Sequence, residues 1–220
     1  MATSKQRTLR AIASVTAIAV SAAVLVTGSY EISYERIEEN HQARLLRTLH
    51  QVLDPASHDN ELTQNRRAVR DLKLLGSSEP MDVFIATREG RPIAALISSV
   101  APRGYSGPIH LLTGIAVDGT VTGVRVTSHS ETPGLGDVIE IEKSGWILSF
   151  DGTSLLSPPL DGWAAGQDGG QFDAITGATV TPRAVIDGVK NTLLYFQRHK
   201  DTLFTEPSGS SSLAGETADD

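Results

Sequence analysis

Apolar and polar positions change rhythm several times along the chain. From Ala11 to Gly28 the sequence AIASVTAIAVSAAVLVTG carries no charge and no proline. Continued to Tyr30, the stretch 11–30 is about 20 residues, or roughly 30 Å of helix, enough to cross a hydrocarbon core. Residues 31–53 then follow a helical period, with Ile37, Leu45, Leu49 and Leu53 on one stripe and Leu46 and Val52 beside it. Asp54-Pro55 ends that run, because proline cannot continue a helix. The stretch 64–75 is polar and helix-compatible, so 31–75 is expected to be a helical stalk.

After Pro80 the period shortens to that of strands. Residues 83–87, 93–100, 109–117 and 120–127 are rich in β-branched and apolar side chains. Asp118-Gly119 is a strong two-residue hairpin signal, both positions tolerating positive φ, and Glu89-Gly90 serves one connection earlier. A short helix is expected over 135–146 and a further strand over 146–150. Two prolines and four glycines make 157–172 a long loop. The last element runs from Pro182 to about His199, with Val185, Val189, Leu193 and Phe196 on one face. Thr181 is its expected N-cap and Pro182 its first residue. Arg198, His199 and Lys200 suit its C-terminal end. The fold class is α+β: a mostly antiparallel sheet with flanking helices. The domain spans 76–200, and a polar, acidic, disordered tail occupies 201–220.

Charge orients this arrangement. Lys5, Arg7 and Arg10 precede the apolar segment, whereas Glu31, Glu35, Glu38 and Glu39 follow it. The positive-inside rule puts residues 1–10 in the cytoplasm and the remainder outside. A cleaved signal peptide and a buried core helix are the competing readings of the segment. The whole chain has 220 residues and a formal charge of −7, which argues against a nucleic-acid partner. Cysteine is absent, excluding iron–sulfur clusters, thiolate zinc sites, disulfides and thiol catalysis. The six histidines (41, 50, 58, 110, 129 and 199) have no metal-ligand spacing. Chemistry must come from oxygen and nitrogen side chains or from a cofactor.

One segment stands apart: Asp173-Ala-Ile-Thr176-Gly177-Ala178-Thr179-Val180-Thr181-Pro182. Three hydroxyls lie within six residues, just before a helix N-terminus whose free N–H groups and positive dipole end favour phosphate. Small residues at 177 and 178 admit a bulky group to the backbone. A glycine turn followed by a threonine cap is the alternative.

This string, with Asp173 upstream, resembles the S/T-G-A-T-x-S/T motif of the FMN-binding domain family. His129-Ser-Glu131-Thr132-Pro133-Gly134-Leu135-Gly136-Asp137 resembles the E-T-P-G-L-G loop of the same family. Its members include the G subunit of the Rnf electron-transport complex, closest in length, and the C subunit of the sodium-pumping NADH:quinone reductase. The resemblance covers roughly residues 8–200 and includes the order of membrane helix, exported domain and motif. It implies FMN joined covalently by a phosphoester to Thr179, in an electron-carrying protein that is no catalyst alone. It also implies a flavin site drawn from Thr176, Gly177, Ala178, Val180, Thr181, Glu131, Thr132, Gly134 and Leu135, without catalytic residues or metal ligands. The implied partners are membrane and iron–sulfur subunits of a translocase in the bacterial inner membrane, the bilayer itself through 11–30, and a flavin transferase using FAD and Mg²⁺. The flavin domain then faces the exterior. Asp173 either helps present the loop to the transferase or caps a turn; His129 or Glu131 could move a proton. Trp146 and Trp163 are assigned to packing. Two alternatives stand beside this reading: a chain of the quinone-reductase kind, and a non-redox exported binding module in which T-G-A-T is merely a turn.

Overall fold

The computed structural model describes residues 15–17, 19–23 and 42–205. The chain divides into two compact units, Met1–Leu45 and Leu46–Asp220. In the first, residues 15–17 and 19–23 are helical and exposed. No helix among the described residues is long and apolar enough to cross a membrane. Most of the expected span over 11–30, like residues 1–10, lies outside the described residues.

The second unit is built on a five-stranded antiparallel meander: β1 (Arg66–Asp71), β2 (Ser77–Arg88), β3 (Arg91–Ala101), β4 (Ile109–Ala116) and β5 (Val121–Ser128), in that spatial order. Alternation decides which side chains are inside. Val83, Ile85, Ala95, Ile97, Leu111 and Ile115 share one buried cluster with Val185, Val189, Leu193 and Phe196 of the long helix Val180–Thr205. That helix, called α3 below, thus packs its expected apolar face on the sheet, and each large side chain so buried contributes about 1.5–3 kcal/mol. On the opposite face lies the end of a helix at 42–52 (α1), where Leu49 and Val52 are buried. Val52 approaches the register pair Gly114–Gly123 so closely that a Cβ on Gly123 would stand 2.9 Å from its carbonyl oxygen.

The hairpins differ in kind. Glu89 and Gly90 both have positive φ (52° and 73°), the geometry that matches strand twist. At Asp118-Gly119 only the glycine does (93°): Gly119 N–H donates to the Ala116 carbonyl, and Asp118 turns its carboxylate onto Thr120 N–H. This is a tight turn followed by a left-handed glycine rather than the two-residue loop expected.

Several expectations are corrected. The helical stalk over 31–75 fails at 66–71, which form edge strand β1, with exposed and half-buried residues alternating. Its charged side chains suit a sheet edge. Within 64–75 only Leu72–Leu75 (α2) is α-helical, capped by the Asp71 carboxylate on Leu74 N–H at 2.8 Å; earlier in the stalk α1 covers 42–52, and residues 31–41 lie outside the described residues. The stretch 135–146 contains only the 3₁₀ turn Gly136–Ile139. Trp146–Phe150, expected as a strand, is also a 3₁₀ turn, which brings its two rings edge to face at 5.4 Å across i, i+4. Residues 157–172 form a loop holding two more such turns. The rings of Phe150, Trp163 and Phe172 stack in the interior beneath it (Phe150–Phe172 centroids 4.6 Å apart). Finally, α3 extends through 201–205, which the tail was expected to contain, and Leu203 there is buried. Residues 206–220 lie outside the described residues.

Candidate functional site

Two loops and the start of α3 converge at one end of the sheet. The first loop is a turn over 175–178, closed by Ala178 N–H donating to the Ile175 carbonyl at 3.1 Å. Gly177, with φ +85°, supplies the left-handed residue such a turn needs. Thr176 and Gly177 are exposed at its tip and Ala178 is half-buried. Upstream, the Trp146 indole N–H donates to the Asp173 carbonyl at 2.8 Å and anchors the strand of chain entering the turn. The Asp173 carboxylate itself has no hydrogen bond among the described residues and does not cap a turn.

Thr179 follows, exposed, immediately before the first residue of α3. Among the described residues its hydroxyl has no hydrogen-bond partner. Thr181 behaves oppositely. It is not the N-cap but the second residue of the helix, buried, with its hydroxyl donating to Glu131 Oε2. Pro182 is therefore the third helical residue rather than the first. It still lies in the turn whose N–H groups have no helical acceptor, so its missing donor is harmless there.

The second loop, residues 129–137, is pinned at each end. Glu131 N–H donates to His129 Nδ1 at 2.9 Å, while His129 Nε2 meets Glu140 at 2.8 Å. With Nδ1 accepting, the neutral ring carries its proton on Nε2. Leu135 N–H and Gly136 N–H both donate to the Thr132 carbonyl, and Gly134 has φ +77°. Asp137 lies inside the 3₁₀ turn and accepts from Gly134 N–H at 2.7 Å; Lys143 is 3.5 Å from its other oxygen.

Glu131 joins the segments. Only 4% exposed, it accepts from Thr181 on α3 through one oxygen and from Ser106 N–H (2.9 Å) on the β3–β4 loop through the other. No cation pairs with it among the described residues. Its charge is met by these two donors and by the positive end of the 26-residue helix α3. Two glycines make room for it: a Cβ on Gly136 would lie 2.9 Å from Glu131 Oε2, and one on Gly104 2.8 Å from Oε1. The two motifs also lie side by side, since a Cβ on Gly177 would come 3.1 Å from Leu135 Cδ2.

The outer surface of this end is thus Thr176, Gly177, Thr179, Val180, Thr132, Gly134 and Leu135, all exposed. Behind it lie Glu131, Thr181 and Asp137. One turn along α3, Arg183 grips Asp168 through two bonds of 2.6 Å. These bonds lower the Asp168 carboxyl below its ordinary value and raise the guanidinium. A cavity of about 200 Å³ on the flank of α3, lined by Lys73, Gly76, Arg103 and Asn191 among others, contains none of the T-G-A-T residues. Trp163 is a core residue; Trp146 is half-buried against Phe150. The contribution of the β3–β4 loop through Ser106 was not legible in the sequence beyond its Gly and Pro content.

Chemically, the arrangement offers a free hydroxyl with no base beside it. Neither a histidine nor a carboxylate hydrogen-bonds Thr179 among the described residues, and an unaided alcohol is a poor nucleophile.

Comparison with known proteins bears on the same residues. The FMN-binding domain family matches residues 104–194. Over 178 residues, 81% of this chain and 84% of the relative, the sequence is 44% identical to the G subunit of the ion-translocating oxidoreductase complex of Shewanella loihica. It is 45% identical over 184 residues, 84% of this chain and 88% of the relative, to the protein of the same name from Vibrio cholerae. Among solved structures, the C subunit of the Na⁺-translocating NADH-quinone reductase of Parabacteroides distasonis shares the fold. Its TM-score is 0.51 at 19% identity, covering 80% of this chain and 97% of that one.

Proposed function

The chain belongs to the family of the G subunit of the ion-translocating oxidoreductase complex, and on that premise we propose that it relays electrons within such a complex through FMN esterified to Thr179. The observation that carries this reading is the Thr179 hydroxyl, exposed and without a hydrogen bond among the described residues at the mouth of α3, while its neighbour Thr181 is buried and engaged. The residues fit a phosphate-linked flavin. N–H groups at the start of α3 favour the phosphate, Gly177 leaves the turn open, and Leu135 and Val180 offer apolar contact beside it. Thr176, Ala178, Thr132 and Gly134 complete the rim.

FMN, when bound, supplies the redox chemistry; the protein supplies position and electrostatics. Thr179 Oγ carries the attachment. Because no base hydrogen-bonds it among the described residues, a separate flavin transferase makes the ester, the threonine oxygen displacing AMP from FAD and its proton leaving with that product. Glu131, bonded to Thr181 and Ser106, keeps the loop 129–137 and α3 in register, so Leu135 stays against Gly177. The T-G-A-T residues lie on an open surface, where a covalent bond keeps the local cofactor concentration high irrespective of the free pool.

The uncharged segment 11–28 and its flanking charges support an anchor in the bacterial inner membrane with the flavin domain outside. The partners are then the other subunits, membrane and iron–sulfur, of the complex. The quinone-reductase protein is a likeness of fold alone. The test is co-expression with a flavin transferase, followed by ultraviolet illumination of a denaturing gel. Wild type and Thr176→Val give a fluorescent band and Thr179→Val gives none; a band surviving Thr179→Val refutes the assignment.

A further inference from the structure

The β3–β4 loop contributes a wall that neither motif contains. It runs Pro102-Arg103-Gly104-Tyr105-Ser106-Gly107-Pro108. It is fastened on both sides of Tyr105: Arg103 pairs with Asp187 of α3 at 3.3 Å, and Ser106 N–H is held by the buried Glu131 carboxylate at 2.9 Å. Gly104 lets the loop close on Glu131, since any side chain there would strike the Gly107 carbonyl oxygen at 2.3 Å. So placed, Tyr105 is 72% exposed. It is the one aromatic among the exposed large hydrophobic side chains of the described residues. Two others of that group, Leu135 and Val180, stand on the remaining segments that Glu131 and Thr181 tie together. An anchored loop holding an aromatic ring in water forfeits the gain of burying it, unless something flat covers it.

We propose that Tyr105 is a flavin-contact residue: its ring stacks on the isoalloxazine of the FMN carried by Thr179, with Leu135 and Val180 bracing the apolar edge. This rests on the attachment proposed above. Chemistry favours the match, because an offset-stacked pair of flat π-systems gains beyond its buried area, whereas the aliphatic neighbours supply dispersion contact only. Glu131 acts through Ser106 and Thr181 as the positioning residue that keeps the three walls together.

The test compares wild type, Tyr105→Phe and Tyr105→Ala in the full chain, flavinylated by co-expression and matched for flavin absorbance. Native fluorescence, its quenching by iodide, and the denaturing-gel band are read on each. A phenol in contact quenches an excited flavin by electron donation, so Tyr105→Ala raises native fluorescence several-fold and increases iodide quenching. Tyr105→Phe raises fluorescence but keeps the ring shielded from iodide. The denatured bands stay equal. A strong band in all three with native fluorescence and iodide quenching unchanged overturns the contact while leaving the attachment standing. If, with those signals unchanged, Tyr105→Ala instead releases the chain from its complex, the ring belongs to a protein interface and the proposal is again overturned. No band in wild type refutes the attachment and this proposal with it.

Discussion

Thr179 and Thr181 are chemically identical and two residues apart, yet the structure gives them opposite energetic roles. Replacing Thr181 by valine keeps the side-chain shape and puts a methyl where the hydroxyl was, so no cavity opens. What is lost is a buried hydrogen bond to a charged acceptor, Glu131, which retains Ser106 N–H as its remaining donor. Bonds of that class are worth about 1.5–3 kcal/mol. For a domain of this size, each kcal/mol moves the melting temperature by about 2–4 °C. Thr181→Val is therefore expected to lower Tm by about 4–8 °C, taking a loss near 2 kcal/mol. Thr179→Val touches an exposed hydroxyl with no hydrogen bond among the described residues and should stay within about 0.5 kcal/mol of wild type. The assay is thermal unfolding of the unmodified protein by near-ultraviolet circular dichroism, with urea titration as a check on the slope m. The flavin readout should invert the pattern: Thr181→Val keeps its fluorescent band and Thr179→Val loses it. Equal stabilities for Thr181→Val and wild type would refute the role assigned to the Glu131–Thr181 bond.

Other perturbations follow from the same geometry. Phe150 is fully buried against Trp146, Trp163 and Phe172, so Phe150→Ala should cost about 3–5 kcal/mol in urea unfolding and loosen the segment entering the T-G-A-T turn. Gly136→Ala forces a methyl against Glu131 and Thr181 and is expected to cost about 1–3 kcal/mol. The Asp168 carboxyl is lowered chiefly by its hydrogen bonds from Arg183, then by that residue's charge. A depressed carboxyl stabilises the fold above its unfolded pKa of about 3.9, and the contribution fades as pH falls through the lowered folded value. The Tm difference between wild type and Asp168→Asn should accordingly be present at pH 7 and vanish in strong acid. Removing residues 1–30 should release the protein from membranes; retention would place its anchor elsewhere.

What the sequence revealed depended on periodicity. The strands after Pro80 and helix α3 carry repeating apolar positions, and Val185, Val189, Leu193 and Phe196 are all buried where that repeat puts them. Both site motifs were visible because they are contiguous strings. Edge strand β1 was not, since its exposed charges leave no apolar alternation to detect. The stretch 135–150 departs from expectation because its order comes from side chain-to-backbone bonds, such as Asp137 to Gly134 and Trp146 to Asp173, and from packed rings. None of these has a period. Thr181 carried the local signature of a cap, yet its partner Glu131 lies 50 residues away in sequence. Tyr105 likewise lies on a loop whose place is set by distant bonds to Glu131 and Asp187.

The claim on which the functional account stands is an ester at one oxygen. Protein co-expressed with a flavin transferase can be digested with trypsin and the peptide ending at Arg183 fragmented in a mass spectrometer. The account predicts a gain of one FMN less one water, localised to Thr179. An unmodified peptide, or an adduct on Thr176 or Thr181, would contradict it.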